Sequence, residues 1–157
     1  MKKIISGGQT GADIAAIDAA IACCFPYGGT IPKGRKCESG TIPEAYDLFS
    51  EAVNDNYNLR TAKNVRDSDI TLIFTYGMLS GGSKFTRDCC DKAKKKYLHI
   101  NLSLMDKEDA VDSICRFIRY YKAEVVNVAG SRASKSASIY SVVRHIIEHV
   151  IADLRTQ

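Results

Sequence analysis

Along the chain, short apolar runs of strand length alternate with longer stretches whose apolar residues recur at helical spacing. Lys3–Ser6 is a first strand running into Gly7-Gly8-Gln9-Thr10-Gly11. Ile14, Ile17, Ile21 and Cys24 then mark a helical stripe on an alanine-rich body. Residues 26–43, punctuated by Gly28-Gly29, Pro32, Gly34 and Gly40, read as irregular. Ile70–Thr75 is apolar on both faces, as a central parallel strand must be. Ser80-Gly81-Gly82-Ser83 opens a helix to about Lys96, and Tyr97–Leu102 is the next strand. Asp106 begins a helix with Ala110, Ile114, Phe117, Ile118 and Tyr121 on one side, and Glu124–Val128 is the last strand. A regular amphipathic helix closes the chain, carried by Ile139, Val142, Val143, Ile146, Ile147, Val150, Ile151 and Leu154. Strands alternating with helices predict a doubly wound α/β fold, a mainly parallel sheet with helices on both faces. At 157 residues, one domain over 1–157 is expected.

Charge narrows the partners. The formal balance is +4, but residues 1–79 carry 8 basic and 9 acidic side chains while residues 80–157 carry 14 and 9. That excess is too small for gripping a nucleic-acid polymer, and it suits a small anionic ligand. No apolar stretch approaches the roughly 20 residues that span a bilayer, so no membrane partner is expected. Lys2 and Lys3 are followed by no hydrophobic leader, which predicts a cytoplasmic protein with reduced cysteines. The adjacent pairs Cys23-Cys24 and Cys89-Cys90, with Cys37 and Cys115 alone, lack metal or redox spacing and read as buried or half-buried.

In doubly wound sheets ligands bind beyond the carboxyl ends of strands. Gly7, Gly8 and Gly11 would let the backbone approach a ligand at a helix start, with Gln9 and Thr10 as donors and Asp13 as a helix cap. The turn is neither GxGxxG nor a P-loop. Gly81, Gly82 and Ser83 repeat the pattern after Ile70–Thr75, with Thr86 on the first helical turn. Two such starts suit a ligand with two polar ends, or one phosphate held from two sides. Arg132, after the last strand, could grip a phosphate or simply face solvent. Lys33 and Arg35 sit on a Pro-Gly turn expected at the same sheet end. Arg60-Thr61 and Asn64 are open between packing and function. Lys92, Lys94, Lys95 and Lys96 fit a helix end. His99 reads as a satisfied strand residue, and His145/His149 as a solvated i,i+4 pair with no third ligand. No catalytic and no metal-binding residue is assigned, since no nucleophile stands beside a base.

These motifs in combination, Ser6-Gly7-Gly8-Gln9-Thr10-Gly11-Ala12-Asp13, Gly28-Gly29 with Pro32-Lys33-Gly34-Arg35, Arg60-Thr61 with Asn64-Val65 and Asp69, Gly81-Gly82-Ser83 with Thr86, and Asn127 to Arg132, resemble the molybdenum cofactor carrier family over residues 3–135. The resemblance implies a Rossmann-like fold related to lysine-decarboxylase-like nucleotide-processing proteins. It also implies a homo-oligomer, and binding of molybdenum cofactor, a phosphate-bearing pterin dithiolene, without chemical change. Otherwise the ligand is a phosphate-bearing, nucleotide-like molecule. The alternatives are a phosphoribohydrolase-type enzyme of that group or a nucleotide sensor. The hydrolase pattern PGGxGTxxE is broken here by Ser80 and by the absence of a glutamate in register, leaving Asp88 or Glu38 to be recruited.

Overall fold

A computed structural model describes residues 1–156. The strands are β1 (Lys3–Ser6), β2 (Tyr27–Ile31), β3 (Lys36–Cys37), β4 (Gly40–Thr41), β5 (Phe49–Glu51), β6 (Ile70–Thr75), β7 (Lys96–Asn101) and β8 (Val125–Gly130). The helices are α1 (Ala12–Ala22), α2 (Tyr57–Arg66), α3 (Gly81–Ala93), α4 (Lys107–Tyr121) and α5 (Ile139–Arg155). Six strands form one sheet in the order β5-β2-β1-β8-β6-β7, every pairing parallel, while β3 and β4 make a small antiparallel hairpin. Helices α1, α4 and α5 pack together on one face and α2 with α3 on the other. The fold is therefore doubly wound as the periodicity predicts, and Rossmann-like as the resemblance implies.

Burial follows from composition. β6 is buried along its whole length, as a strand covered on both faces requires. The small residues Ala12, Ala15, Ala16, Ala19 and Ala20 on α1 are buried, which lets that helix lie close to sheet and neighbour. On α5, Ile139, Val143, Ile146, Ile147, Val150 and Ile151 supply the opposing apolar stripe. Asn56 and Asp106 cap α2 and α4 by accepting the amides of Asn58 and Asp109 at 2.8 and 2.9 Å.

The strand order has a particular logic. Starting from β8, the sheet grows outward in sequence through β1, β2 and β5 on one side and β6 and β7 on the other. The innermost strand is thus the last along the chain. Met1 and Leu154 line one surface crevice, so the last turn of α5 lies near the start of β1. This is the topology of a doubly wound sheet whose chain has been circularly permuted.

Two regions differ from the sequence reading. The stretch 26–43 is not irregular throughout: it holds β2 and the β3–β4 hairpin. Glycine interrupts the apolar pattern of β2 because a Cβ on Gly29 would collide with the backbone of Ser6. Helix α2 has no apolar stripe to announce it; its buried residues are Arg60, Asn64 and Val65. The cysteines are all free, with Cys37, Cys90 and Cys115 buried and Cys23 and Cys89 half-buried, whereas Cys24 is exposed where the chain leaves α1. The lysine run does close a helix, Lys95 Nζ donating to the Ser68 carbonyl at 2.6 Å. His99 Nε2 lies 2.7 Å from Thr75 Oγ1. Among the described residues no helix is long and apolar enough to cross a membrane.

Candidate functional site

The chain leaves β1 toward the face of α1 and leaves β6 toward the face of α3, so the crossover direction switches near β8. A cleft of about 420 Å³ opens there. Its floor is Asn127 to Gly130 of β8, and its walls come from the turn after β1, from α2, and from the start of α3. Of the residues anticipated from sequence, Gly7, Gln9, Gly81, Gly82, Thr86 and Arg132 line it; Gly8, Thr10, Gly11, Ser83, Lys33 and Arg35 do not.

The turn after β1 is filled from within. Asp13 is buried, and its carboxylate accepts the Gln9 amide at 3.4 Å and Arg60 Nη1 at 3.4 Å. The Ala12 amide donates to the Ser131 carbonyl at 3.1 Å. The Gly8 amide donates to Ser6 Oγ at 3.2 Å and the Thr10 amide to Gln9 Oε1 at 3.0 Å. Thr10 Oγ1 donates to Glu38 and accepts the Ala133 amide. Gly8 has φ +69°, and a Cβ there would meet Ile42 and Ile31 rather than a ligand; on Gly11 it would strike the Ser131–Ala133 backbone. These glycines serve turn geometry and close packing. The protein's own groups thus take several amides of this helix start, the Asp13 carboxylate that of Gln9 and the Ser131 carbonyl that of Ala12.

Lys33 and Arg35 are displaced from the cleft because β2 lies one strand farther out and the following segment folds on itself. Arg35 Nε donates to the Ile42 carbonyl at 2.9 Å, and its Nη2 to those of Pro43 and Tyr46 at 2.8 and 3.0 Å. Lys33 is exposed. Ser83 is a cap residue, its Oγ accepting the Ser80 amide at 3.0 Å and donating to the Ser80 carbonyl at 2.8 Å.

The start of α3 is open. Among the described residues the amides of Gly81 and Gly82 have no protein acceptor, and both residues are exposed at the cleft. Thr86 Oγ1 donates to the Gly82 carbonyl at 2.9 Å. Opposite stands Arg60, only 8% exposed, with Gln9 beside it at 5%. Arg60 Nε and Gln9 Nε2 are buried with no partner. Burial raises the Asp13 carboxyl and lowers the Arg60 guanidinium from their ordinary ranges, against the pull of their mutual attraction. Arg60 and Arg132 both lie against Tyr57, their guanidinium carbons 5.7 and 5.6 Å from its ring centroid.

Arg60, Thr61 and Asn64, left open by the sequence, are thus all cleft residues, and Asn64 also clamps Thr30 of β2 through two hydrogen bonds of 2.8 Å. Tyr57 carried no signal of its own. The trace that could have revealed this wall is Arg60 with Asn64 at i,i+4 spacing ahead of a central strand, a polar stripe where an apolar one would pack. Glu38 and Asp88 line no part of the cleft. Glu38 binds Thr10 and Ser134, and Asp88 pairs with Arg87 at 2.7 Å. Among the described residues no three metal-ligating side chains cluster.

Fold and site together define a permuted doubly wound α/β protein with a polar cleft at its switch point. Residues 4–151 match the model of the circularly permutated YpsA SLOG family, and the chain belongs to that family. It is also 45% identical to the crystal structure named "Putative molybdenum carrier protein" from Syntrophus aciditrophicus SB, with a TM-score of 0.94 over 96% of this chain and 95% of that one. No curated protein matches it.

Proposed function

We propose that this protein carries a small phosphate-bearing cofactor, molybdenum cofactor first among candidates, and returns it unchanged. One observation carries the reading: the cleft's unmet hydrogen-bonding groups are donors. Arg60 Nε and Gln9 Nε2 are buried without acceptors and the amides of Gly81 and Gly82 are open, so the complementary group is acceptor-only, as an oxyanion is. The phosphate would sit on the first turn of α3, where amides and helix dipole favour it, with Arg132 alongside. The name of the Syntrophus protein, related over nearly the whole chain, supports the choice of cofactor.

The enzymatic alternative, cleavage of a nucleotide at its N-glycosidic bond, would have to draw its base from Asp13. The one carboxylate lining the cleft, Asp13, is held by Arg60 and two backbone amides. Residence in a reducing cytoplasm, keeping six cysteines free, and assembly into a homo-oligomer belong to the same proposal. Native mass spectrometry of protein co-expressed with cofactor synthesis tests it. Recovery of a bound pterin is expected. Recovery of neither pterin nor nucleotide overturns the carrier reading, and release of free base from nucleoside monophosphates assigns the protein to the enzymes instead.

A further inference from the structure

The donors that lack acceptors fall into two sets. One lies beyond β1. Gln9 Oε1 accepts two backbone amides, from Thr10 at 3.0 Å and Glu38 at 2.9 Å, which fixes the orientation of the side-chain amide. Its Nε2 is left buried and unpartnered at the cleft. Arg60 is fixed in the same way, Nη1 being held by Asp13 while Nε has no acceptor. The second set lies beyond β6, where the Gly81 and Gly82 amides open α3. Lys135 Nζ stands nearby, 3.4 Å from Ser80 Oγ.

Between the two sets runs β8. Their bases are therefore about two strand spacings apart, roughly 10 Å. A single tetrahedral anion seated on the first turn of α3 leaves the buried donors of Gln9 and Arg60 unmet, and buried donors need partners. One seated on Gln9 and Arg60 leaves the exposed Gly81 and Gly82 amides to solvent. The room between the sets is walled by Tyr57, with Arg132 against its ring.

Resting on the anion-carrying reading above, we infer that the cleft takes a ligand with an acceptor-only group at each end, one held by Gln9 and Arg60 and the other by the first turn of α3. Ligands with one anionic end, such as a nucleoside monophosphate, meet only half of this site. Gln9 is the residue that makes the first seat selective: its donor is locked in place and cannot turn to offer its oxygen.

Titration calorimetry with phosphate, pyrophosphate and tripolyphosphate tests this on the wild type, Gln9→Glu, Gly82→Asp and the double variant. Gln9→Glu keeps both acceptor bonds of Oε1 and replaces the free donor with an oxyanion. At Gly82 a Cβ meets nothing within 4 Å, so Gly82→Asp places a carboxylate at the helix start without a clash. Circular dichroism checks that each variant is folded. In the wild type at least one longer anion should bind about tenfold or more tightly than phosphate, the worth of one charge-assisted seat. Each single variant should remove that advantage and keep phosphate binding on the remaining seat, and the double variant should lose both. No advantage in the wild type, or equal losses for all three anions in either single variant, overturns the two-ended ligand while leaving the anion reading in place. Failure of all three anions to bind the wild type overturns both.

Discussion

At the start of α1 the carboxylate of Asp13 accepts backbone amides and Arg60, and the Ser131 carbonyl takes the Ala12 amide; at the start of α3 the amides of Gly81 and Gly82 meet no acceptor among the described residues. The two turns look alike as sequence, each a glycine pair or triplet after a strand with hydroxyl residues close by. They differ in what folds over them. The loop after β8 descends onto α1, bringing Ser131 and Ala133 against Gly11, and the acidic residue that neutralises the helix start is internal. Over α3 the same loop brings only the Lys135 ammonium, a donor, toward Ser80, and Ser80 with Ser83 satisfies the amides of Ser80, Ser83 and Lys84. A glycine-rich helix start is therefore an anion site only when no internal group has claimed it. Here the more closed start builds part of the wall, and the more open one faces the cleft.

The largest effect should come from emptying the closed start. Asp13→Ala leaves Arg60 buried without its carboxylate, and breaking a buried pair from one side destabilises by about 3–5 kcal/mol. Urea unfolding measures the loss. The variant should also convert the α1 turn into an open donor set, so that added phosphate restores more stability to it than to the wild type. A loss below about 1 kcal/mol, or equal response to phosphate, would show that the pair is not what closes this turn.

The next contrast is between glycines. Gly11 has φ +82° and ψ −127°, and a Cβ there enters backbone of the 131–133 loop. Gly11→Ala should cost about 1–3 kcal/mol from conformation alone, and more from the collision. Gly82 has space for a methyl group and lies in a helical turn, so Gly82→Ala should gain up to about 1 kcal/mol. Paired thermal melts give the comparison its sign. Similar losses at both positions would mean that the two starts are built alike.

How much of this was legible in the sequence depended on what each segment packs against. Strand β6, helix α5 and the alanine face of α1 bury apolar surface on apolar surface, and their periods declare them. The order of the strands did not show, because hydrophobic pattern records that a strand is buried and not which neighbour buries it. Helix α2 escaped for a reason tied to function: its inner face is Arg60, Thr61 and Asn64, which line a cleft or clamp a strand instead of filling a core. The glycine turns were found, yet their amides could not be counted as free, since Asp13 and Ser131 reach the Gln9 and Ala12 amides only through the fold. Lys33 and Arg35 were misplaced by the same gap in information. Nothing local tells that Arg35 turns back on the carbonyls of its own loop.

The smallest effect separates the two starts by pH. Glu38 ties the β3–β4 hairpin to the loop that closes α1, its carboxylate accepting the Ser134 amide at 3.2 Å, the Ser134 hydroxyl at 2.6 Å and the Thr10 hydroxyl. The Ser134 hydroxyl first, then Thr10, hold its carboxyl below the ordinary glutamate range, with Arg132 adding a smaller pull the same way. A depressed folded value means that the contribution is present above the ordinary range and is lost as pH falls through the folded value. Glu38 is exposed, so the global stability should change little. The local readout is sharper: on acidification the Ser134 and Ala133 amide resonances should shift together as the clasp loosens, while those of Ser80 and Ser83, whose reciprocal bonds involve no titratable group, stay in place. In Glu38→Gln the Ser134 shift should lose its pH dependence. A Ser83 amide that moves with Ser134 would mean that the open and closed starts are coupled, and the division of labour between them would fail.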